Sequence, residues 1–155
     1  MQANRRQMIQ HSAVLAGLLA SAGLLPAAQA QAAFNRAAFD AKNMDEMLKA
    51  LGLSAKPVES KEVTLTGPDI AENGAVVPLG VASSAAGVKR LLLLVEKNPN
   101  ILAGVFDVSD AVEANMSTRV KMGQTSNVYA VAITADNKVL FAQKEVKVTL
   151  GGCGG

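Results

Sequence analysis

From residue 57 to residue 150 the apolar and polar positions fall into short runs of strand type, broken by turn residues. Lys61-Glu62-Val63-Thr64-Leu65 alternates and stops at Gly67-Pro68. Residues 75–82 and 89–95 follow, the second with four consecutive leucines, Leu91 to Leu94. A continuous apolar run of that length predicts a strand buried on both faces. Asn98-Pro99-Asn100 is a turn, and residues 101–108 read as the next strand. Met116, Thr118, Val120 and Met122 share one side of a further strand. Residues 127–134 and 138–150 flank Asp136-Asn137, a hairpin turn. The last run is long enough to bend or to carry a bulge. Residue 74, a glycine, is expected to let the chain turn tightly into the strand at 75–82.

One segment has a helical period instead. Met44, Met47, Leu48 and Leu51 recur at i, i+3, i+4 and i+7. Asn43 with Glu46 three residues later matches a capping box, and Gly52 supplies a stop. An earlier turn at residues 36–39 is expected to join this helix. The methionines offer soft ligands, but at helical spacing they read as core. About seven short strands and no alternation of helix with strand predict a mainly β fold, an antiparallel β-sandwich. The N-terminal helix is expected to pack at one end or edge of it. No internal repeat or linker divides the domain.

The first thirty residues follow a different logic. Arg5 and Arg6 precede an apolar run from residue 13 to residue 25, then Ala28-Gln29-Ala30. That order is a charged region, a hydrophobic region and a small-residue cleavage site, the plan of an export signal. A membrane anchor fits less well, since spanning takes about 20 residues. Asn4-Arg5-Arg6-Gln7-Met8-Ile9 resembles a twin-arginine signal, although Asn4 stands where Ser or Thr is expected and no Lys follows; an ordinary secretory signal is the alternative. The twin-arginine route carries folded proteins, so the chain is expected to fold, or to meet a partner, before export to the periplasm. The expected organisation is therefore signal 1–30, a helix-plus-sandwich domain 31–150 and a C-terminal arm 151–155.

Setting the signal aside changes the charge. The chain has 15 basic and 13 acidic residues, and two of the basic ones are Arg5 and Arg6. Residues 31–155 thus hold 13 of each sign and are nearly neutral. Nothing in that balance points to nucleic acid or to an anionic membrane surface. The remaining length suffices for one domain with one core. With no Trp and few other aromatics, that core must be built from Val, Leu, Ile and Ala.

The one histidine, His11, belongs to the signal, and Cys153 is the one cysteine. A Ser-His-Asp or Cys-His catalytic set is excluded, as is a His or multi-Cys metal site. No intramolecular disulfide can form, which leaves a free thiol or an intermolecular link. Four of the thirteen glycines, Gly151, Gly152, Gly154 and Gly155, surround Cys153. Glycine gives up the most backbone entropy on ordering and has no side chain to bury, so the strand is expected to end near Leu150 and a flexible arm to follow. Leu150 to Cys153 extends to about 10 Å, and the arm is thin enough for a narrow channel. A buried structural cysteine is a poor fit to that position. Prenylation also fails, since it needs Cys fourth from the end followed by aliphatic residues. No base lies in the arm, and an exposed Cys with a pKa of about 8.5 is a few per cent thiolate at neutral pH. One mobile thiol with no activating group suits a carrier that is activated by whatever receives it.

Val148-Thr149-Leu150-Gly151-Gly152-Cys153-Gly154-Gly155 resembles the C-terminus of the SoxY family, the sulfur carrier subunits of the thiosulfate-oxidising Sox system. Pro68-Asp69-Ile70-Ala71-Glu72-Asn73-Gly74-Ala75-Val76-Val77-Pro78 is similar to that family too. Leu150, where the family often has Ile, is a conservative departure. The resemblance implies an immunoglobulin-like sandwich, a heterodimer with SoxZ and sulfur attachment at Cys153. It also implies three visiting enzymes: a haem enzyme that loads thiosulfate, a dimanganese hydrolase that releases sulfate, and a sulfane dehydrogenase. The carrier itself would need no cofactor, only covalently bound sulfur species. The role of residues 68–78 is not set by the resemblance.

Two other functions fit parts of the sequence. Gly154-Gly155 matches a ubiquitin-like carrier bearing sulfur on its terminal carboxylate, but that chemistry needs ATP, which an exported protein lacks. An exported binding module that dimerises through Cys153 is the other. Direct catalysis fits least.

Overall fold

The computed structural model describes residues 35–151. The expected signal, including Arg5 and Arg6, and the arm residues Gly152, Cys153, Gly154 and Gly155 lie outside them.

Two short helices come first. Asn35 caps α1 (Arg36–Asp40) by accepting a hydrogen bond from Ala38 N. Asn43 caps α2 (Met44–Ala50) by accepting one from Glu46 N at 2.9 Å. The Glu46 carboxylate reaches back to Lys42 N at 3.0 Å, one residue before the position an ideal capping box uses. The bond from Lys42 N to the carboxylate, and then the Asn43 side chain, lower the Glu46 pKa. The α2 stop is a Schellman turn: Gly52, at φ 77°, donates to Lys49 O and Leu53 N to Leu48 O. The turn at 36–39 does not join the second helix, because Ala41 is extended and Asn43 opens a new cap.

The strands that follow are β1 (Val58–Glu59), β2 (Val63–Thr66), β3 (Ile70–Ala71), β4 (Val77–Ser83), β5 (Val88–Val95), β6 (Leu102–Asp107), β7 (Asn115–Val120), β8 (Ser126–Thr134) and β9 (Val139–Val148). They form two sheets, one ordered β1-β9-β8-β5-β6 with β3 also on β9, the other β2-β4-β7. The pairings are antiparallel except for β1 and β3, which lie parallel to β9. The result is an immunoglobulin-like sandwich, as expected, with two short parallel additions on one edge.

The four leucines explain the layering. Leu91 and Leu93 face the smaller sheet and pack with Val63, Val77, Leu79, Val81, Val128 and Ala130. Leu92 and Leu94 face outward and are covered by Ala38, Met47 and Leu48 of the helices. The helices therefore lie on the outer face of the larger sheet and not at an end or edge of the sandwich. That face is apolar across β5, β8 and β9, through Leu92, Leu94, Val131, Ile133 and Val139, and a cover is needed to keep it from water. Leu92 has no exposed surface. Leu92→Ala is expected to cost about 2–5 kcal/mol. In urea unfolding the midpoint should fall with the slope unchanged.

The long last strand carries no bulge against β8, since their register runs unbroken from Ser126↔Val146 to Ile133↔Val139. The irregularities fall in β5 instead, at Leu93/Leu94 against β6 and at Val88/Arg90 against β8. The β8–β9 turn is built as the sequence indicates. Asn137 takes φ 61°, and Asp136 accepts from Thr134 Oγ1 and pairs with Lys138 Nζ at 2.8 Å. The Lys138 ammonium and then the Thr134 hydroxyl lower the Asp136 carboxyl to about 2.

Candidate functional site: the root of the arm

The C-terminal segment leaves the sandwich at the end of β9, where its backbone meets residues 69–74. Lys147 N donates to Asp69 O at 2.9 Å and Thr149 N to Ala71 O at 3.1 Å. The Thr149 hydroxyl donates to Glu72 O at 3.1 Å. Gly74 N then donates to Leu150 O at 2.7 Å. Four hydrogen bonds thus run along the chain up to the residue before Gly151. From the other side Val148 N donates to Thr125 Oγ1 at 2.9 Å.

This clamp is what residues 68–78 build. Asn73 starts its bend by accepting from Ala75 N through Oδ1 at 2.8 Å, a side chain mimicking a turn. Gly74 does not turn by left-handed backbone, which among the described glycines occurs at Gly52 and Gly87. It is buried and bonded on both sides, its N–H to Leu150 O and its carbonyl accepting from Met122 N at 2.7 Å. Gly74 therefore ties the arm's root to the segment after β7.

Gly151 has a steric reason to be glycine. A Cβ on it would lie 2.5 Å from the Gly123 carbonyl oxygen, closer than real contacts allow. The Gly123 loop is itself held by Asn98, whose Nδ2 donates to Lys121 O at 2.7 Å and whose Oδ1 accepts from Gly123 N at 3.3 Å. Gly151 thus belongs to the anchored root. Expected as the first residue of the flexible arm, it makes a close backbone approach to Gly123. Asn98, Gly123, Thr125 and Thr149 were not singled out from the sequence. Their roles depend on loops 25 and 77 residues apart in the chain, and no local pattern carries that information.

An ion pair reinforces the clamp. Lys144 Nζ lies 2.7 Å from Asp69 Oδ1 and donates to Gly67 O at 2.8 Å. The Lys144 ammonium, by hydrogen bond and then by charge, lowers the Asp69 carboxyl below its ordinary 3.8. A depressed folded-state pKa contributes stability that is present above the unfolded value and lost as pH falls through the folded one. The clamp is thus expected to hold from neutrality to about pH 4 and to loosen below it. Hydrogen exchange at Lys147 N and Thr149 N should show this acid step, and Lys144→Met should remove it.

Among the described residues no group of three or more His, Cys, Asp or Glu is placed to hold a metal. No described helix is long and apolar enough to cross a membrane. Cys153 follows Gly151 by two positions.

A family model described as sulfur oxidation protein SoxY matches residues 48–153, a span that begins within α2 and takes in both sheets, the clamp and Cys153. The chain belongs to the SoxY family. The structure of the sulfur carrier protein SoxY from Chlorobium limicola f thiosulfatophilum superposes with a TM-score of 0.61 at 33% identity, covering 68% of this chain and 94% of that one. A superoxide reductase (neelaredoxin) from Ignicoccus hospitalis matches with a TM-score of 0.51 at 15% identity, over 64% of this chain and 86% of that one. At that identity the second likeness is one of fold alone. No match was found among curated proteins. SoxY membership places the protein in sulfur oxidation.

Proposed function

We propose that this SoxY protein carries sulfur intermediates as covalent adducts of Cys153 during thiosulfate oxidation and presents them to partner enzymes. The observation that carries the reading is the position of the chain's one cysteine. It lies two residues beyond a root clamped by residues 69–74, at the last position of the family match. The protein acts as a carrier subunit, exported through the Arg5-Arg6 signal to the periplasm and paired there with SoxZ.

The chemistry divides between carrier and visitors. Loading forms an S–S bond between the Cys153 sulfur and the outer sulfur of thiosulfate. It releases the thiol proton and two electrons, which the haem enzyme accepts. Water then cleaves the bond between the sulfane sulfur and the sulfonate group on the dimanganese hydrolase, giving sulfate, a proton and a persulfide on Cys153. The sulfane dehydrogenase oxidises that remaining sulfur, taking up its electrons, with water supplying the oxygen atoms and releasing protons. No base adjoins the thiol in the sequence, so its ionisation is left to cationic or metal groups in the receiving channels. The carrier supplies position and reach, and it needs no cofactor of its own.

Intact-mass analysis of protein from cells grown on thiosulfate tests this. Peptide mapping is expected to place added sulfur, as sulfane sulfonate or persulfide, on Cys153. Sulfur mapped to the terminal carboxylate, or no adduct at all, overturns the reading.

A further inference from the structure

Asn73 is the one asparagine in the chain that a glycine follows. Such a pair has a chemistry of its own. Glycine has no Cβ to keep its nitrogen from the preceding side chain, so that nitrogen can close on the asparagine's Cγ. The fold opposes this closure at each of the groups involved. Gly74 is buried, and its N–H is committed to Leu150 O at 2.7 Å. The Gly74 carbonyl is held as well, accepting from Met122 N at 2.7 Å. Asn73 Oδ1 is occupied by Ala75 N at 2.8 Å. For the ring to close, the nitrogen must lose its proton and turn towards Cγ, and the side chain must leave its turn. The residue itself is exposed, so water has access to it once the bonds part.

We infer that Asn73-Gly74 is a deamidation site gated by the clamp. When the clamp opens, the Gly74 nitrogen gives its proton to solvent and bonds to Asn73 Cγ, and the side-chain nitrogen leaves as ammonia. Water then opens the cyclic imide at one of its two carbonyls. One product is aspartate on the original backbone, which can still accept from Ala75 N. The other is isoaspartate, in which the main chain runs through the former side chain and gains one methylene. That inserted carbon shifts the Gly74 N–H away from Leu150 O and the Gly74 carbonyl away from Met122 N. Opening of the clamp is reversible until this reaction occurs, and afterwards the root stays open. The modification thus records, in covalent form, how long a molecule has spent with its root open.

The same opening must precede amide exchange at Gly74 and ring closure, so one equilibrium slows both. The test incubates the protein in its native assembly, the same chain unfolded in urea, and the native Thr149→Val variant at neutral pH. The tryptic peptide of residues 62–89 holds one asparagine and no glutamine, so its conversion from amide to acid maps to Asn73 alone. Enzymatic methylation of the free α-carboxylate counts the isoaspartate. Folded wild type is expected to deamidate at least about tenfold more slowly than the unfolded chain. Thr149→Val should react about fivefold faster than wild type, in step with its loss of Gly74 exchange protection. Aged protein enriched in isoaspartate should lose protection at Gly74, and Asn73→Asp should keep it. No conversion in the unfolded chain would remove the site. Equal rates in folded and unfolded chains would remove the gate, as would a Thr149→Val rate that stays at the wild-type value while its Gly74 protection falls. If Asn73→Asp loses as much protection as the aged protein does, the added charge opens the root and the backbone insertion is not the cause.

Discussion

Cys153→Ser is expected to abolish thiosulfate-dependent sulfur loading and the thiosulfate oxidation that depends on it, with no residual turnover through this chain. The loss should be complete because the chain has no second cysteine to take over. A serine hydroxyl stays protonated where a thiol with a pKa of about 8.5 already supplies some thiolate. An S–O linkage to thiosulfate also lacks the sulfur–sulfur exchange chemistry that lets successive enzymes act on one adduct. The substitution should leave the fold untouched. The hydrogen bonds that close the domain are made at or before Leu150, so stability is expected to stay within about 0.5 kcal/mol. An assay reconstituted with SoxZ and the partner enzymes reads this directly. Full activity of the serine variant would falsify the carrier mechanism, and so would loss of activity accompanied by unfolding, because the thiol would then be structural.

Much of this protein is legible in its sequence because its elements advertise themselves locally. Seven strands fall within about two residues of where the apolar runs and turn residues place them. The four leucines announce a strand buried on both faces, and Leu91 to Leu94 are indeed wholly buried. The pattern does not say what buries the second face. A helix covering a sheet and a helix capping its end have the same amphipathic spacing, and the choice is made by Val131, Ile133 and Val139 on other strands. The two-residue strands β1 and β3 are equally silent, since alternation cannot be read from two positions. Their parallel pairing with β9 depends on a partner more than seventy residues away.

The candidate site divides in the same way. Cys153 stands out by composition, because a lone thiol among glycines needs no structure to be noticed. The clamp does not, because most of its contacts on residues 69–74 are made by backbone groups. Ala71, Glu72 and Gly74 take part through carbonyls and an N–H, so their side chains give no sign of the contact. Residues 68–78 look distinctive without revealing a purpose. The hydrogen bonds supply one: they tie the chain to the sandwich as far as Leu150.

Gly151→Ala should therefore have the largest effect of any change within the described residues of the arm's root. The added Cβ would meet the Gly123 carbonyl at 2.5 Å, a backbone atom that Asn98 holds in place. Overpacking of this kind costs about 1–3 kcal/mol when the structure must absorb it. Here a cheaper escape exists. The chain can relieve the clash by giving up the Gly74 N–Leu150 O bond and the Thr149 hydroxyl bond to Glu72 O. The thermal midpoint of the sandwich is accordingly expected to change little. Exchange protection of the Gly74 amide should drop roughly 5- to 150-fold, the factor that matches 1–3 kcal/mol. A nitroxide attached to Cys153 should become more mobile in the same variant. Loading by partner enzymes should fall through KM, because a longer and less directed tether presents the thiol over a wider volume. Thr149→Val, which removes one bond of the clamp, should give a smaller loss of Gly74 protection, about 1 kcal/mol. If Gly151→Ala leaves both Gly74 protection and label mobility at wild-type values, then the contact with Gly123 does not hold the root, and the tether would have to be measured from Val148 and not from Gly151.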